Sequence, residues 1–337
     1  MSVIIPNYNY ARTLSLCLEA VRKQTYPAVE VIVADDHSTD NSVAVAQQAG
    51  ARVVQTPRRA SGCAEGRNTG VAHAHGEVLF FLDSDVALEP DAVENAVAIL
   101  AADPAVGAVC GVYHPDPLVV DSKVEEYRSL QLHYWQVTSE GSVSNMYPAM
   151  TAMRRSAFDA VGPFNPRLKQ TEDADYGHRV SQRYTLLLDS KVSGKHDHDD
   201  KLSTLLWKVY TRTRLRIPLY ALRRRFAKGF ETATRGWGCI AAFATVPALI
   251  AATVLGPLWL VLPVVLFAFS VATDVGMYRF VWRRRGSRFL LFYVAMQYLA
   301  NITIASGLAV GVLQWLTSRS FRRLYDTLQL EPRRAGV

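Results

Sequence analysis

The chain has 337 residues, 50% of them hydrophobic and 20% charged, which excludes a disordered tail or a disulfide-stapled miniprotein and leaves ample material for a large core. The net charge of +7 hides two opposite parts: residues 1–200 carry 17 Lys and Arg against 26 Asp and Glu, net −9, and residues 201–337 carry 20 against 4, net +16. Two uncharged runs, Gly236 to Thr273 and Phe289 to Ser318, exceed the roughly 20 apolar residues that span a bilayer, so the chain is expected in a membrane rather than wholly in solution.

With these runs toward the C-terminus, Met1-Ser2-Val3-Ile4-Ile5 is not expected to open a cleavable signal, and the N-terminal part is expected in the cytosol. Cys17, Cys63, Cys110 and Cys239 are far apart and form no C-x-x-C pair. They suit a reducing compartment, give no disulfide or zinc framework, and are expected as small core residues.

In chain order, Val3 to Ile5, Val29 to Ala34, Arg52 to Val54 and Val78 to Leu82 are short apolar runs, separated by helical patterns at Thr13 to Gln24 and Ser42 to Gln48. This alternation predicts βαβ units and a mostly parallel sheet. The runs are continuous rather than alternating, as in strands covered on both faces. In such sheets ligands bind beyond the carboxyl ends of the strands. Those ends are polar: Pro6-Asn7-Tyr8-Asn9, then Asp35-Asp36-His37-Ser38-Thr39-Asp40, then Asp83-Ser84-Asp85. Gly62 to Gly70 contains Gly66-Arg67-Asn68-Thr69-Gly70, which lacks the G-x-G-x-x-G spacing of a dinucleotide site; a flexible, basic, phosphate-facing loop stays open as an alternative.

Two aspartates at the end of an apolar strand are costly to place together unless a cation neutralises them. Oxygen ligands of this kind suit Mg²⁺ or Mn²⁺, which keep open positions for substrate phosphates; capping carboxylates in a loop are the plain alternative. Asp36 is placed to hydrogen-bond a base or ribose, and Asp40 to cap the helix beginning near Asn41. In Glu172-Asp173-Ala174-Asp175 the acidic residues are either dipole partners in a first helical turn or include a general base. In Lys195-His196-Asp197-His198-Asp199-Asp200 one imidazole is a candidate to complete a metal site at Asp83 and Asp85, against a solvated loop.

Lys201 to Arg235 holds ten basic residues and one acidic residue among Leu, Trp, Tyr and Ile. It reads as a basic amphipathic segment on an anionic leaflet, broken near Pro218. A nucleic-acid surface is the lesser reading, because a bilayer-length run follows directly. Gly256-Pro257 predicts a hairpin within the first run, and Arg283 to Arg288 a cytosolic loop by the positive-inside rule. Arg319, Arg322 and Arg323 should then also be cytosolic, which a single crossing by the second run would forbid. Three spans, four spans with a fold-back near Asn301 to Gly307, or a re-entrant segment remain open.

Val3-Ile4-Ile5-Pro6-Asn7-Tyr8-Asn9, Gln24-Thr25-Tyr26-Pro27, Glu30 to Asp40, Arg67-Asn68-Thr69-Gly70, Phe81-Leu82-Asp83-Ser84-Asp85 and Glu172-Asp173-Ala174-Asp175 together resemble the ordered motifs of family 2 glycosyltransferases. The resemblance covers residues 1 to about 200. It implies an α/β GT-A fold, a Rossmann-like nucleotide-sugar domain with a mostly parallel sheet, and an inverting, metal-dependent transfer of a sugar from a nucleotide diphosphate. By the same resemblance Pro6, Tyr8, Asp36 and Arg67 contact the nucleoside, Asp83 the ribose or sugar, and Asp85 the metal. Asp173 is the base, next to Glu172, and the metal-binding histidine is His198, with His196 as substitute. Two departures are a histidine at position 37, where the family usually has Gly, and no Asn before the basic pair Arg154-Arg155. The Q-x-x-R-W motif of processive synthases is absent, so transfer of a single sugar is expected.

The expected organisation is a GT-A domain at 1–200, a basic interfacial segment at 201–236, transmembrane helices at 237–318 and a basic cytosolic tail at 319–337. The expected function is transfer of one sugar to a lipid-linked or glycolipid hydroxyl acceptor at the cytosolic leaflet of the plasma (inner) membrane, by a multi-pass protein. A polyprenyl phosphate acceptor is the near alternative, but a phosphate needs no base, and Glu172-Asp173 is intact. A sugar-nucleotide sensor that does not turn over would be marked by loss of Asp85 or Asp173. A sugar nucleotidyltransferase would need a Gly-rich N-terminal loop, which Pro6-Asn7-Tyr8-Asn9 is not.

Overall fold

The computed structural model describes residues 1–28, 30–223, 229 and 232–326. Val29 at the head of the second expected strand, part of the expected interfacial segment and most of the expected basic tail lie outside the described residues. In chain order the elements are β1 (Ser2–Asn7), α1 (Ala11–Arg22), β2 (Glu30–Asp35), α2 (Ser42–Gln48), β3 (Arg52–Gln55), α3 (Cys63–Ala72), β4 (Val78–Leu82), β5 (Val86–Leu88), α4 (Ala92–Ala102), β6 (Val106–Tyr113), α5 (Lys123–Val137), β7 (Gly141–Ser142), β8 (Met150–Arg154), α6 (Arg155–Val161), α7 (Glu172–Ser181), β9 (Thr185–His196), α8 (Leu202–Arg223), α9 (Ala233–Leu255), α10 (Val261–Ala272) and α11 (Val275–Thr317). The described residues form two compact units, one within 1–121 and 136–198 together with 326, the other within 122–135 and 199–325.

The first unit is built on one sheet with strand order β3-β2-β1-β4-β8-β6-β9-β5, and β7 also pairs with β9. The fold class is mixed α/β. β3, β2, β1 and β4 are parallel, as the βαβ pattern predicts, whereas β8 runs antiparallel between β4 and β6. Successive side chains of a strand face opposite ways, and here both faces are covered. Val3, Ile5, Phe80 and Leu82 enter one buried cluster with Leu14 and Cys17 of α1. Ile4, Leu79 and Phe81 enter the other with Phe158 of α6 and Tyr176 of α7. This is why the strand sequences are continuously apolar; each such side chain contributes about 2 kcal/mol on burial.

Of the readings open for Gly62 to Gly70, the structure excludes a flexible loop: from Cys63 it is helix α3, set tightly on β1. A Cβ on Gly70 would come 2.3 Å from Ile4 Cγ2, and one on Gly66 2.9 Å from Pro6 Cβ. Cys17, Cys110 and Cys239 are buried as expected, but Cys63, in the first turn of α3, is exposed.

The second unit is helical and takes α5 from the middle of the chain. Tyr127, Leu130 and Trp135 of α5 share a core with Leu205 of α8 and Met277, Tyr278, Val281, Tyr293 and Met296 of α11. A buried polar ladder runs beside it: Tyr127 Oη donates to Gln297 Oε1 (2.9 Å), Gln297 Nε2 to Asn301 Oδ1 (2.8 Å) and Asn301 Nδ2 to Ser270 Oγ (3.2 Å).

α8 does not break at Pro218 but continues to Arg223. Proline removes the helical donor to the Arg214 carbonyl, and that carbonyl faces Gly311, whose Cβ would lie 2.8 Å away. The hairpin expected at Gly256-Pro257 is present: α9 ends at Leu255 and is capped by Gly256 (φ 103°), and a 3₁₀ turn, Pro257–Leu260, leads into α10. In place of the loop expected at Arg283 to Arg288 there is a one-residue break at Gly286 (φ 79°), and Asn301 to Gly307 stays helical. Among the described residues, α9 and α11 are long and apolar enough to cross a membrane.

Candidate active site

Every candidate residue lies in the first unit, most of them at the carboxyl ends of β1, β2 and β4. At the first of these ends Pro6 is buried in β1, backed by Gly66 of α3, and Tyr8 is 43% exposed just beyond the strand. The loop after β2 is held by side chains acting as turn residues. Asp35, 1% exposed, accepts from Asn7 Nδ2 (3.0 Å), Ser38 N (2.9 Å) and Gln55 Nε2 (3.2 Å). Asn9 Oδ1 accepts from the amides of Thr39 (2.7 Å) and Asp40 (3.2 Å).

Asp40 joins the starts of two helices, accepting from Ala11 N and Ser42 N, both at 3.0 Å. Burial pushes its carboxyl up, but bonds from Ser42 and Ala11 outweigh that and hold it below the ordinary value. His37 sits at φ 61°, a left-handed conformation that glycine adopts without strain and other side chains adopt at a cost. Its Nε2 lies 3.0 Å from the Thr56 carbonyl.

Asp36 is 6% exposed. Its Oδ1 accepts from Thr56 Oγ1 (2.7 Å) and Ser61 N (3.0 Å), and its Oδ2 from Gly62 N (3.0 Å). It therefore fixes the approach to α3. Sequence reading misses Thr56, Ser61 and Gly62, because nothing in their spacing ties them to position 36.

α3 brings Arg67 underneath the acidic centre. The guanidinium is 2% exposed; Nη2 meets Asp83 Oδ1 at 2.8 Å, Nη1 meets Glu172 Oε1 at 3.3 Å, and its Cζ is 5.5 Å from the Phe164 ring centre. Burial disfavours the charge, but Asp83 and Glu172 more than compensate and raise the guanidinium's pKa. Asn68, beside it, exchanges two 2.9 Å bonds with the backbone of Phe164. These contacts tie the turn at 162–166, and the start of α7 after it, to α3.

In α7 the acidic residues occupy the first turn. Glu172 is held by Arg67, and Asp175, 3% exposed, by Arg179 at 3.1 Å. Asp173 lies between them, half-buried, and accepts from the Ala174 amide at 2.7 Å.

Asp85 follows β4 and leads into β5, which pairs with the end of β9 so that Val86 is opposite His196. His196 Nε2 lies 3.7 Å from Asp85 Oδ1, and the Asp197 amide donates to the Asp85 carbonyl at 2.9 Å. His198 stacks on His196 with ring centres 4.1 Å apart, since residues two apart in extended chain share a face. The Tyr113 ring, at the end of β6, stands nearly perpendicular to both imidazoles, at 73° and 86°. The rule of strand ends could have found Tyr113, which the motifs do not mark. Beneath the centre, burial and then the charges of Asp85 and Asp83 push the Cys17 thiol well above its ordinary value.

Among the described residues no three His, Cys, Asp or Glu side chains form a ready-made metal cage. Asp85 with an imidazole is a partial donor set. It fits a Mg²⁺ or Mn²⁺ ion that takes its remaining ligands from phosphate oxygens and water.

Residues 2–162 match the model of "Glycosyl transferase family 2". Glycosyltransferase AglE of Haloferax volcanii is 28% identical over 210 residues, 58% of this chain and 66% of that protein. The Escherichia coli UDP-Glc:alpha-D-GlcNAc-diphosphoundecaprenol beta-1,3-glucosyltransferase WfgD is 40% identical over 87 residues, 25% of this chain and 34% of that protein. The chain thus spans less than two thirds of the length of the curated relatives it matches. The mannosyltransferase PcManGT of Pyrobaculum calidifontis, solved with GDP-Man and Mn²⁺, superposes with a TM-score of 0.57 at 19% identity, covering 94% of this chain and 87% of that one. This likeness extends the agreement in fold well beyond the family match.

Proposed function

We propose that the protein is a membrane-bound, inverting glycosyltransferase that moves one sugar from a nucleotide-diphosphate sugar to a hydroxyl of a lipid-linked saccharide or glycolipid at the cytosolic leaflet. The observation that carries this reading is the acidic centre at the end of β4. Asp83 and Asp85 stand at a strand end, Arg67 couples Asp83 to the first turn of α7, and a histidine faces Asp85. WfgD, by its name, acts on a diphosphoundecaprenol-linked sugar, which supports the acceptor class.

In this reading Pro6, Tyr8 and Asp36 receive the nucleoside, and Asp83, oriented by Arg67, the ribose or sugar. Asp85 and His196, with His198 stacked on it, would hold Mg²⁺ or Mn²⁺, which supplies positive charge to the departing nucleoside diphosphate. Asp173 takes the proton of the acceptor hydroxyl as its oxygen attacks the anomeric carbon from the face opposite the leaving group. Glu172 keeps Arg67 in place, which leaves Asp173 the better base.

The test is donor turnover by the full chain in detergent, with Mn²⁺ or Mg²⁺, a panel of nucleotide sugars and membrane lipid extract. One donor should be consumed only with metal and lipid. Asp85→Ala should abolish consumption, and Asp173→Asn should lower transfer by about 10²- to 10⁴-fold while nucleotide binding is kept. Nucleotide binding without turnover of any donor would replace this reading with a sensor.

A further inference from the structure

We infer that the helical unit is monotopic: it enters the cytosolic leaflet from one side and returns, and no helix crosses the bilayer. The inference rests on the membrane reading above and specifies its geometry; the lipid partner is an anionic leaflet.

The first observation is the base of the α9–α10 hairpin. Arg235, just inside α9, and Asp274, just after α10, are joined at 2.8 Å, and Trp135 Nε1 donates to the same carboxylate at 2.9 Å. The two ends of the hairpin are therefore at one level, and that level is charged. Its far end is the opposite: Gly256 and the turn Pro257–Leu260 are wholly apolar, with Val254 81% and Leu258 87% exposed. A hairpin that crossed twice would present this tip to water on the far side. Moreover, the turn and α10 together supply 16 residues, short of the roughly 20 that a crossing needs.

The second observation is the register of α8 on α11. A Cβ on Gly307 would lie 2.7 Å from the Tyr210 carbonyl, and one on Gly311 2.8 Å from that of Arg214. The two helices run side by side in the same direction. Any 20-residue window in the uncharged run 289–318 includes residues 299–308, so a crossing by α11 takes part of α8 to the same depth. If the crossing lies early in the run, the start of α8 is submerged, with Lys201 and the Lys208–Asp199 pair (2.6 Å). If it lies late, Arg212, Arg214 and Arg216 are submerged. Charges at that depth are expensive, whereas at headgroup level the same residues meet anionic lipid favourably.

An in-plane α11 also resolves its charge pattern, with exposed Arg283, Arg284 and Arg288 near one end of the apolar stretch and exposed Arg319, Arg322 and Arg323 at the other. Both clusters then satisfy the positive-inside rule. Trp207, Trp237 and Trp282, each more than half exposed, suit the same interfacial level.

The experiment is labelling of the full chain by a membrane-impermeant maleimide in right-side-out and inside-out vesicles. The background is Cys63→Ser, since the other three cysteines are buried. Ser287→Cys and Ser320→Cys should both label only in inside-out vesicles, and Leu258→Cys in neither until detergent is added. Labelling of 287 and 320 from opposite faces, or of 258 from the outer face, overturns the monotopic arrangement while leaving membrane attachment intact. Loss of the unmodified chain from vesicles on alkaline carbonate washing overturns attachment itself, and this inference with it.

Discussion

Arg67 is a tightly held charge of the candidate site, since 2% of it is exposed and both terminal nitrogens are engaged by carboxylates. Removing one member of a buried ion network leaves the others uncompensated. Arg67→Met is therefore expected to lower stability by about 3 kcal/mol in urea unfolding; a loss below about 1 kcal/mol would show that Asp83 and Glu172 are adequately hydrated without it. Arg67→Lys should restore little, because an ammonium does not offer the planar fork that reaches both partners. Far from the site, Glu30 accepts from Ser2 Oγ and the His75 amide, both at 2.6 Å. Burial raises its pKa, but these bonds and His75 bring it down to about 2 from an ordinary 4.5. A carboxylate with a lowered folded pKa stabilises above its unfolded pKa and loses that contribution as pH falls toward the folded one. Glu30→Gln should thus cost about 2 kcal/mol at pH 7, and the gap to the parent chain should narrow from about pH 4.5 downward; a gap constant from pH 7 to pH 3 would refute the assignment. Asp36, Asp83 and Asp85 were legible at this scale because each follows an apolar strand. The burial of Arg67 was not, because Arg in a polar stretch looks like a surface cation until a helix turns it inward.

At the scale of elements, α7 sets the position of Glu172 and Asp173, and it can approach the chain at 145–146 only through Gly177. A Cβ there would lie 2.2 Å from Met146 N and 2.7 Å from the Asn145 carbonyl carbon. Backbone cannot rotate aside as a side chain can, so Gly177→Ala must move the helix. A stability loss of about 2 kcal/mol and a fall in turnover larger than that of nucleotide affinity are expected; differential scanning fluorimetry with parallel kinetics measures both, and an unchanged kcat would mean that α7 does not position the base. The parallel strands and α1 and α2 were readable because their periodicities are clean. The insertion of β8 between β4 and β6 was not, since pairing between strands about 70 residues apart leaves no local trace. α5 was also missed, for a different reason: Glu125, Ser129 and Gln131 are buried in it, so the face it hides does not read as apolar.

For the whole molecule, the first 200 residues are acidic and the remainder basic, but the compact units do not follow that division. Residues 122–135 belong to the helical unit. A chain ended at residue 200 is accordingly expected to leave Tyr127, Leu130 and Trp135 uncovered and to elute from size exclusion as aggregates, whereas the full chain in detergent should be monodisperse; a well-behaved monomer of 1–200 would show that α5 finds other cover. The same placement bears on synthesis. Tyr127 must wait for Gln297, 170 residues later, which at ordinary elongation rates is about 10–30 s. During that interval the nascent chain carries α5 without its helical partners, so the ribosome, and whatever shields the emerging chain, is expected to share in its folding until α11 has been made.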